Sequence, residues 1–466
     1  MTPPRSSNPP ATRRSVRTGI GASGAMWPIR FYVILNALYL FVGAVYPARG
    51  VSQHRGAVFA ADVTYVCLCA LVAAITARVR EVKRLVHSSR PGRCLTETEL
   101  VRLIYIANGL SFLGIFLLYF DRAHVQGIDY SRGLSMARYQ WTAAGAARGT
   151  VSSIYSVLGN LLAPCSLVAV ALTHLHLEAL GRHRALILAV VGVGAVMGNS
   201  ALMGGRTPIV LAVAGALAIG CIRRSRGSPF FPKMVAKRAL VLSGLFICGF
   251  LLYSAYVFKG RVEANQTNAY VYLGTMITHL GGELDPGSAK WVESPAVAYA
   301  LAVGAYFVHS DWTFEDIMFE DQRPGTITFK AARDMLARIG LRKPDQAEDL
   351  WLYSGRFISL PGSLWYDFGA GVFVLAAAFN GLLFGIAVAV ARDATGGVVW
   401  FTATFGILLI TMLSPLIPAY EISVYPFLLF DCFLLRGSCG ILGQRLSWLG
   451  TLRRERRRLV AVRPTA

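Results

Sequence analysis

The chain has 466 residues, of which 55% are hydrophobic and only 15% are charged, and its formal net charge is +21. Soluble domains carry about 25% charged residues, and apolar runs of about 18 residues or more, long enough to cross a bilayer, recur here. The composition excludes an ordinary soluble protein and predicts an all-α, polytopic membrane protein.

The excess positive charge suggests nucleic-acid binding, but membrane topology accounts for it more simply. With a cytoplasmic N-terminus, nearly all of the excess Lys and Arg falls on cytoplasmic connections and tails, as the positive-inside rule predicts. We therefore expect a lipid bilayer as partner, no nucleic acid, and both termini on the cytoplasmic side of the cell membrane. The eight cysteines include neither a CxxC pair nor a Cys/His cluster with metal spacing, so no disulfide framework or structural zinc is predicted.

Ten transmembrane helices are predicted between two basic tails. Residues 1–26 and 437–466 form the tails, the first being a flexible segment rich in Pro, Ser, Thr and Arg. Spans one to seven fall within 27–258 and spans eight to ten within 363–436; they lie at 27–46, 57–77, 100–120, 151–175, 185–203, 207–222, 239–258, 363–391, 398–416 and 419–436. The spacings Gly194-xxx-Gly198 and Gly381-xxx-Gly385 predict close helix packing.

One connection differs from the others. Residues 259–360 form a polar loop between spans seven and eight, on the predicted outer side, with more than half of the 25 acidic residues. Its many aromatic residues predict a small folded extracytoplasmic subdomain. Within it, 295–309 is apolar but too short to span, so we expect it to lie in the interface or to re-enter the membrane. A smaller outer loop, 121–149, carries four arginines: Arg122, Arg132, Arg138 and Arg148.

A tight turn, Gly204-Gly205-Arg206-Thr207-Pro208, joins spans five and six. With the predicted topology Arg206 faces outward at the membrane surface, where an arginine is costly unless an anion meets it. Three carboxyl side chains, Asp62, Asp367 and Glu421, lie at the outer ends of other spans. If these spans pack together, the four ionisable groups form a candidate site.

The eighth span begins with Trp365-Tyr366-Asp367-Phe368-Gly369-Ala370-Gly371. Together with the Gly205-Arg206-Thr207 turn, the large outer loop and the terminal pair of spans, this start resembles the oligosaccharide repeat-unit polymerases. These are the O-antigen polymerase-like, Wzy-type membrane glycosyltransferases of bacteria. The resemblance covers the layout from Leu186 to Leu435 and depends on few matching residues.

The resemblance implies a GT-C-like glycosyltransferase that needs no metal or cofactor. Its substrate would be a polyprenyl-diphosphate-linked oligosaccharide, polymerised into a surface polysaccharide on the outer face of the cytoplasmic membrane. It also implies that Arg206 lies near the diphosphate, where a rigid guanidinium stabilises the charge of the leaving group. A chain-length regulator and a flippase are the protein partners that it suggests.

The predicted site has a catalytic set and a substrate-binding set. The catalytic set is Arg206, Asp367 and Glu421, and the substrate-binding set is Thr207, Arg261, His309, Asp311, Arg356 and Tyr366. A base must accept the proton of the attacking hydroxyl, and the sequence does not choose among Asp367, Glu421, His279, Glu283, His309 and Asp311. Asp367 has a structural alternative, since it can accept hydrogen bonds from backbone amides. Glu315-Asp316 and Glu320-Asp321 predict a solvated acidic face.

Other functions stay open at this stage. A flippase or transporter of lipid-linked oligosaccharides would keep charged or broken helices near the bilayer midplane. A ligase-like glycan transferase would use the same outward arginine and the same lipid diphosphate. A structural or regulatory membrane protein without chemistry is the third alternative.

Overall fold

The fold is that of a computed structural model of the chain. It describes residues 26–52, 54–79, 97–134, 136–141, 153–203, 205, 207–231, 239–285, 294–321, 327–330, 333, 336, 341, 358–392, 398–414, 427–428, 430–431 and 434–435. The predicted basic tails lie outside these residues except for Met26. So does most of the predicted tenth span.

The described residues form α-helices and one two-stranded antiparallel sheet. The elements in chain order are α1 (Trp27–Val45), β1 (Ala48–Gly50), α2 (Arg55–Thr76), α3 (Glu97–Phe120), α4 (Ile154–Leu162), α5 (Cys165–Leu175), α6 (Leu177–Leu180), α7 (Arg182–Met203), α8 (Thr207–Ser225), α9 (Ala239–Ala264), α10 (Ala269–His279), β2 (Gly282–Leu284), α11 (Pro295–Ile317), α12 (Leu360–Arg392) and α13 (Val398–Leu413). A π-helical turn, Asp121–Val125, continues α3.

Seven of the described helices are long and apolar enough to cross a membrane. They correspond to predicted spans one to six and eight, with α4 and α5 counted together. This confirms an all-α polytopic membrane protein. The total of ten spans and the side on which each connection lies stay predictions; α9 and the shorter α13 occupy the places of the seventh and ninth spans.

Two helices that were predicted to be continuous are interrupted. The fourth span breaks between α4 and α5 at Ala163 and Pro164, because proline has no backbone N–H to continue the helix. The eighth span is kinked at Gly369, whose φ of 72° lies in the left-handed region. Glycine takes this conformation without the steric cost that a side chain would impose.

The glycines of α12 bring it close to α2, as the sequence predicts. A Cβ on Gly381 would stand 2.6 Å from the carbonyl oxygen of Cys69, and a Cβ on Gly385 would stand 2.6 Å from the Cβ of Thr76. The two helices therefore run side by side in the same direction. Gly194 behaves differently, since a Cβ there would meet no described atom within 4 Å.

A second, smaller core lies beside the main helical core. The strands β1 and β2 pair antiparallel, and α10 and α11 pack with them and with the last turns of α9. Tyr46, which follows α1, donates a hydrogen bond to the carbonyl of Leu301 and packs against the ring of Trp312. The helix α11 is eight residues longer than the apolar segment 295–309, and these extra turns carry acidic residues.

This second core and the α7–α8 turn lie at one end of the bundle, which we call the turn end. The opposite end is marked by Trp27 and Phe31 at the start of α1, whose rings contact Phe230 just after α8. Because the start of α1 meets the end of α8, the end of α1 and the start of α8 share the turn end.

Candidate functional site

Two polar pockets occupy the turn end. The arginine pocket consists of Arg122, Arg138 and Arg261 around Gly205. The carboxyl pocket consists of Tyr39, Asp62, Asp311 and Glu315. The helix α11 borders both, because it carries Asp311 and Glu315 and also Tyr306, which contacts Arg261.

The turn between α7 and α8 is the floor of the arginine pocket. Gly205 donates from its N–H to the carbonyl of Ser200 at 3.2 Å, and the Ser200 hydroxyl donates to the carbonyl of Gly205. Thr207 is exposed and begins α8, and the first N–H groups of a helix have no partner within the helix. Arg206 lies outside the described residues.

Arg122 is buried and holds the end of α7. It lies on the π-helical turn after α3, and its guanidinium donates to the carbonyl of Leu202 and contacts the sulfur of Met203. The guanidinium carbon stands 4.3 Å from the ring centre of Trp141, a cation–π geometry. Arg122 therefore places a positive charge under the turn and fixes its position.

Arg138 contacts the turn itself. A Cβ on Gly205 would stand 3.0 Å from the Nη1 atom of Arg138, so a side chain there would require the guanidinium to shift by a few tenths of an ångström. The Arg138 side chain is exposed, yet partial desolvation of its guanidinium lowers the pKa of Arg138, and the positive charges of Arg261 and Arg122 lower it further. Arg261, near the end of α9, donates to the hydroxyl of Tyr306 at 3.1 Å.

The pocket therefore concentrates positive charge in a partly buried place. Among the residues that the structure describes, neither Arg122 nor Arg261 forms an ion pair with a carboxylate. Like charges brought together under partial burial raise the free energy of the empty pocket, and an anion lowers it. Guanidinium groups and a helix start are the donors that bind phosphate in proteins.

The sequence named Arg206, Thr207 and Arg261 for this region but did not select Arg122 and Arg138. Both belong to the loop 121–149, whose four arginines were visible. Nothing in the spacing of that loop distinguishes Arg122 or Arg138 from the other two. Arg122 is distinguished by its place on the π-helical turn, and Arg138 by its contact with Gly205. Both are features of the fold.

The carboxyl pocket joins α1, α2 and α11. The Tyr39 hydroxyl donates to Oδ1 of Asp311 at 2.7 Å and lies 2.6 Å from the Ser310 hydroxyl. Asp62 of α2 is 6% exposed and interacts electrostatically with Asp311. Burial raises the pKa of Asp311 to about 7, although the Tyr39 hydrogen bond and Arg55 act in the opposite direction.

Glu315 corrects the prediction of a solvated acidic face. Its side chain is 2% exposed, one turn beyond Asp311 on α11. Burial raises the pKa of Glu315 to about 7, against the lowering effect of Arg55. Asp316 accepts a hydrogen bond from Ser52, so this acidic pair packs against the segment between β1 and α2 instead of facing water. The sequence positions of Glu315 and Asp316 are equally compatible with a buried pair and with a solvent-exposed pair.

Asp367 is fully buried and accepts hydrogen bonds from the backbone. The N–H of Thr328 donates to its Oδ2 at 2.7 Å, and the N–H of Ile327 lies 3.2 Å from both carboxyl oxygens. The residue thus ties the segment before α12 to the kink at Gly369. Asp62 and Asp367 have different partners, so the described members of the predicted four-group cluster do not meet in one site.

We expect replacement of Asp367 with alanine to destabilise the protein by about 2–3 kcal/mol, because buried amides lose a charged acceptor. Backbone hydrogen exchange of Ile327 and Thr328 should accelerate, which mass spectrometry of the purified protein measures. Asp321, an exposed aspartate at the same end, is the matched control. Unchanged stability and exchange together with lost activity would contradict an anchoring role and would favour the predicted catalytic one.

The remaining predicted residues divide into buried and undescribed ones. His309 is fully buried, with its Nδ1 atom 3.1 Å from the carbonyl oxygen of Ala305, and Tyr366 is 3% exposed in the main core. Arg356 and Glu421 lie outside the described residues. Within the described part of the chain, no group of three His, Cys, Asp or Glu side chains has the arrangement of a metal site.

Comparisons of the chain with protein-family models, with curated proteins and with solved structures find no match.

Proposed function

We propose that the protein is a membrane glycosyltransferase that polymerises oligosaccharide repeat units carried on polyprenyl diphosphate. The observation that carries this proposal is the arginine pocket, in which Arg122 and Arg138 of the loop after α3 contact the α7–α8 turn region and Arg261 of α9 acts electrostatically on Arg138. The pocket binds the diphosphate of the glycan that is transferred. Arg206, next to Gly205 in the chain, supplies a further guanidinium.

The chemistry of glycan transfer requires such a pocket. When the bond between the anomeric carbon and the diphosphate breaks, negative charge builds up on the leaving phosphate oxygen. Donors fixed around this oxygen lower the barrier, and loss of one donor of this kind costs about 100- to 1000-fold in rate. Guanidinium groups that neighbouring contacts already hold, as Trp141 and Met203 hold Arg122, need little reorganisation during the reaction.

The turn end is the outer face of the cytoplasmic membrane in this proposal. The positive-inside rule favours that orientation, because the basic connections that follow α2 and α8 and the basic N-terminal tail adjoin in the chain the helix ends that lie at the opposite end. A lipid-linked substrate reaches the pocket from the outer leaflet, with its polyprenyl chain among the apolar helices. The growing polysaccharide is then released outside.

A flippase of the same substrate is the second candidate, and the helix interruptions favour it. The break at Ala163–Pro164 lies within a span, and α12 is kinked at Gly369. Discontinuous helices of this kind form substrate sites in transporters. A ligase-like transferase uses the same arginine pocket and differs only in its acceptor.

One reconstitution separates these functions. Purified protein in vesicles receives a polyprenyl-diphosphate oligosaccharide, and the glycan length and its distribution between leaflets are measured. Lengthening of the glycan is expected of the polymerase. Movement between leaflets without lengthening would identify the flippase, transfer to an unrelated acceptor lipid would identify the ligase, and the absence of all three would overturn the proposal.

A further inference from the structure

The carboxyl pocket brings two carboxyl groups from different helices into electrostatic interaction. Asp62 comes from α2, Asp311 comes from α11, and the charge of Asp311 acts on Asp62. The Tyr39 hydroxyl of α1 donates to Oδ1 of Asp311, and it also interacts electrostatically with Asp62. Three helices thus meet at this pair of carboxyl groups.

Asp62 lacks a donor for one of its two carboxyl oxygens among the described residues. It is 94% buried, and its Oδ2 atom has no hydrogen-bond partner among the described residues. Oε2 of Glu315, one turn beyond Asp311, is in the same state. A buried carboxylate without a donor is unfavourable, and a second carboxylate beside it makes full ionisation more so.

The charged groups that face the pair do not neutralise it. Arg55 at the start of α2 acts on Asp311 and Glu315, but its guanidinium also donates to the carbonyl of Gly43. Asp316 adds a further negative charge near Glu315. With Tyr39 uncharged, one guanidinium faces several carboxyl groups, so the pocket needs another cation.

We propose that Asp62 and Asp311 bind one proton between them, and that loss of this proton loosens α11 from α1 and α2. The proton removes one negative charge from the two buried carboxyl groups, of which Asp62 has no described donor at Oδ2. The described side chains form no metal-binding group of three His, Cys, Asp or Glu residues, which favours a proton over a metal ion.

The proton site is connected to the arginine pocket through α11. Tyr306 precedes Asp311 by five residues, about 7.5 Å along the helix axis, and it accepts the hydrogen bond of Arg261. When α11 separates from α1 and α2, Tyr306 moves away from Arg261. The hydrogen bond that positions the Arg261 guanidinium in the arginine pocket is then lost. The anion pocket is therefore complete only while the carboxyl pair holds its proton.

The direction of the pH effect follows from the raised pKa of Asp311. An acid that is harder to ionise in the folded state binds more protons there than in the unfolded chain, so stability falls as pH rises. The loss begins above the ordinary pKa of an aspartate, about 4, and is complete above about 7.

The test compares wild type with Asp62→Asn and Asp311→Asn between pH 5 and pH 8. Each asparagine keeps an uncharged polar group in the pocket without needing a proton, so both variants should melt a few degrees higher than wild type at pH 8. The difference should disappear at pH 5. Hydrogen exchange of α11, corrected for its intrinsic pH dependence, should accelerate above pH 7 in wild type only. Asp321→Asn, at an exposed site, should follow wild type.

Parallel melting curves for wild type and both variants over this pH range would overturn the proposal. So would variants that are less stable than wild type at pH 8. Stabilisation of wild type by added CaCl₂ or NaCl, beyond a choline chloride control and absent in Asp62→Asn, would assign the pocket to a metal ion instead. None of these measurements uses a glycan substrate, so they are independent of the proposed activity.

Discussion

Replacement of Arg138 with alanine is expected to lower the rate of glycan elongation about 100- to 1000-fold. Its guanidinium lies against Gly205 and beside Arg261, so its loss removes a positioned donor and part of the positive potential of the pocket. The protein should still fold, because relief of repulsion among the arginines offsets the lost contacts. Initial rates in reconstituted vesicles, normalised to folded protein, measure the effect.

Two variants control this prediction. Lys259→Ala removes a basic side chain from the same helix as Arg261, but Lys259 is 65% exposed and pairs with Glu263, so elongation should not change. Arg138→Lys keeps the charge without the planar fork that binds phosphate through two hydrogen bonds, and its rate should fall between alanine and wild type. Elongation by Arg138→Ala within about twofold of wild type, less than the loss of one positioned donor costs, would exclude Arg138 from the site.

The helical architecture was predictable from the sequence because apolar run length alone decides it. The runs that became α1, α2, α3, α7 and α8 have bounds within a few residues of their predicted spans. The interruptions were harder to predict. Pro164 was visible in the fourth span, but a proline in a membrane helix does not always break it, since neighbouring groups often satisfy the freed carbonyl.

Side-chain partners were less predictable because they depend on contacts between distant segments. Gly381 and Gly194 have the same small-residue spacing, yet only Gly381 meets a neighbouring helix closely. Glu315 was expected in water because its neighbours in sequence are acidic, and it is buried because Gly50 of β1 packs against its carboxyl group. For Asp367 the sequence left two alternatives open, base and backbone acceptor, and only the fold shows Ile327 and Thr328 donating to its carboxylate.

Arginines have different partners at the two ends of the bundle, and this difference supports an anion site at the turn end. At the opposite end the guanidinium of Arg223 on α8 has several protein partners. It pairs with Glu178 at 2.8 Å and donates to the carbonyls of Leu175 and Pro229 at 3.1 and 3.2 Å. At the turn end Arg122 and Arg261 have no carboxylate partner among the described residues. Among the described residues, Arg122 and Arg261 thus lack the carboxylate pairing that Arg223 has, as expected of arginines that bind an external anion.

Replacement of Arg223 with methionine is therefore expected to destabilise the protein by about 3 kcal/mol, without slowing elongation by the molecules that fold. The side chain is only 2% exposed, and its loss leaves buried carbonyls unpaired at about 1–3 kcal/mol each, although relaxation and water recover part of this. Glu178 is 52% exposed and is solvated once Arg223 is gone, so no buried charge remains. Thermal unfolding in detergent and the elongation assay measure the two quantities separately.

The adjacent Arg224 provides the matched control, because it is exposed on the same turn of α8. Arg224→Met should unfold within about 0.5 kcal/mol of wild type, as surface substitutions usually do. Equal stability of Arg223→Met and Arg224→Met would show that the carbonyl contacts of Arg223 contribute nothing. A specific loss of elongation in folded Arg223→Met would instead extend the functional site to the opposite end of the bundle, against the assignment of that end to stability alone.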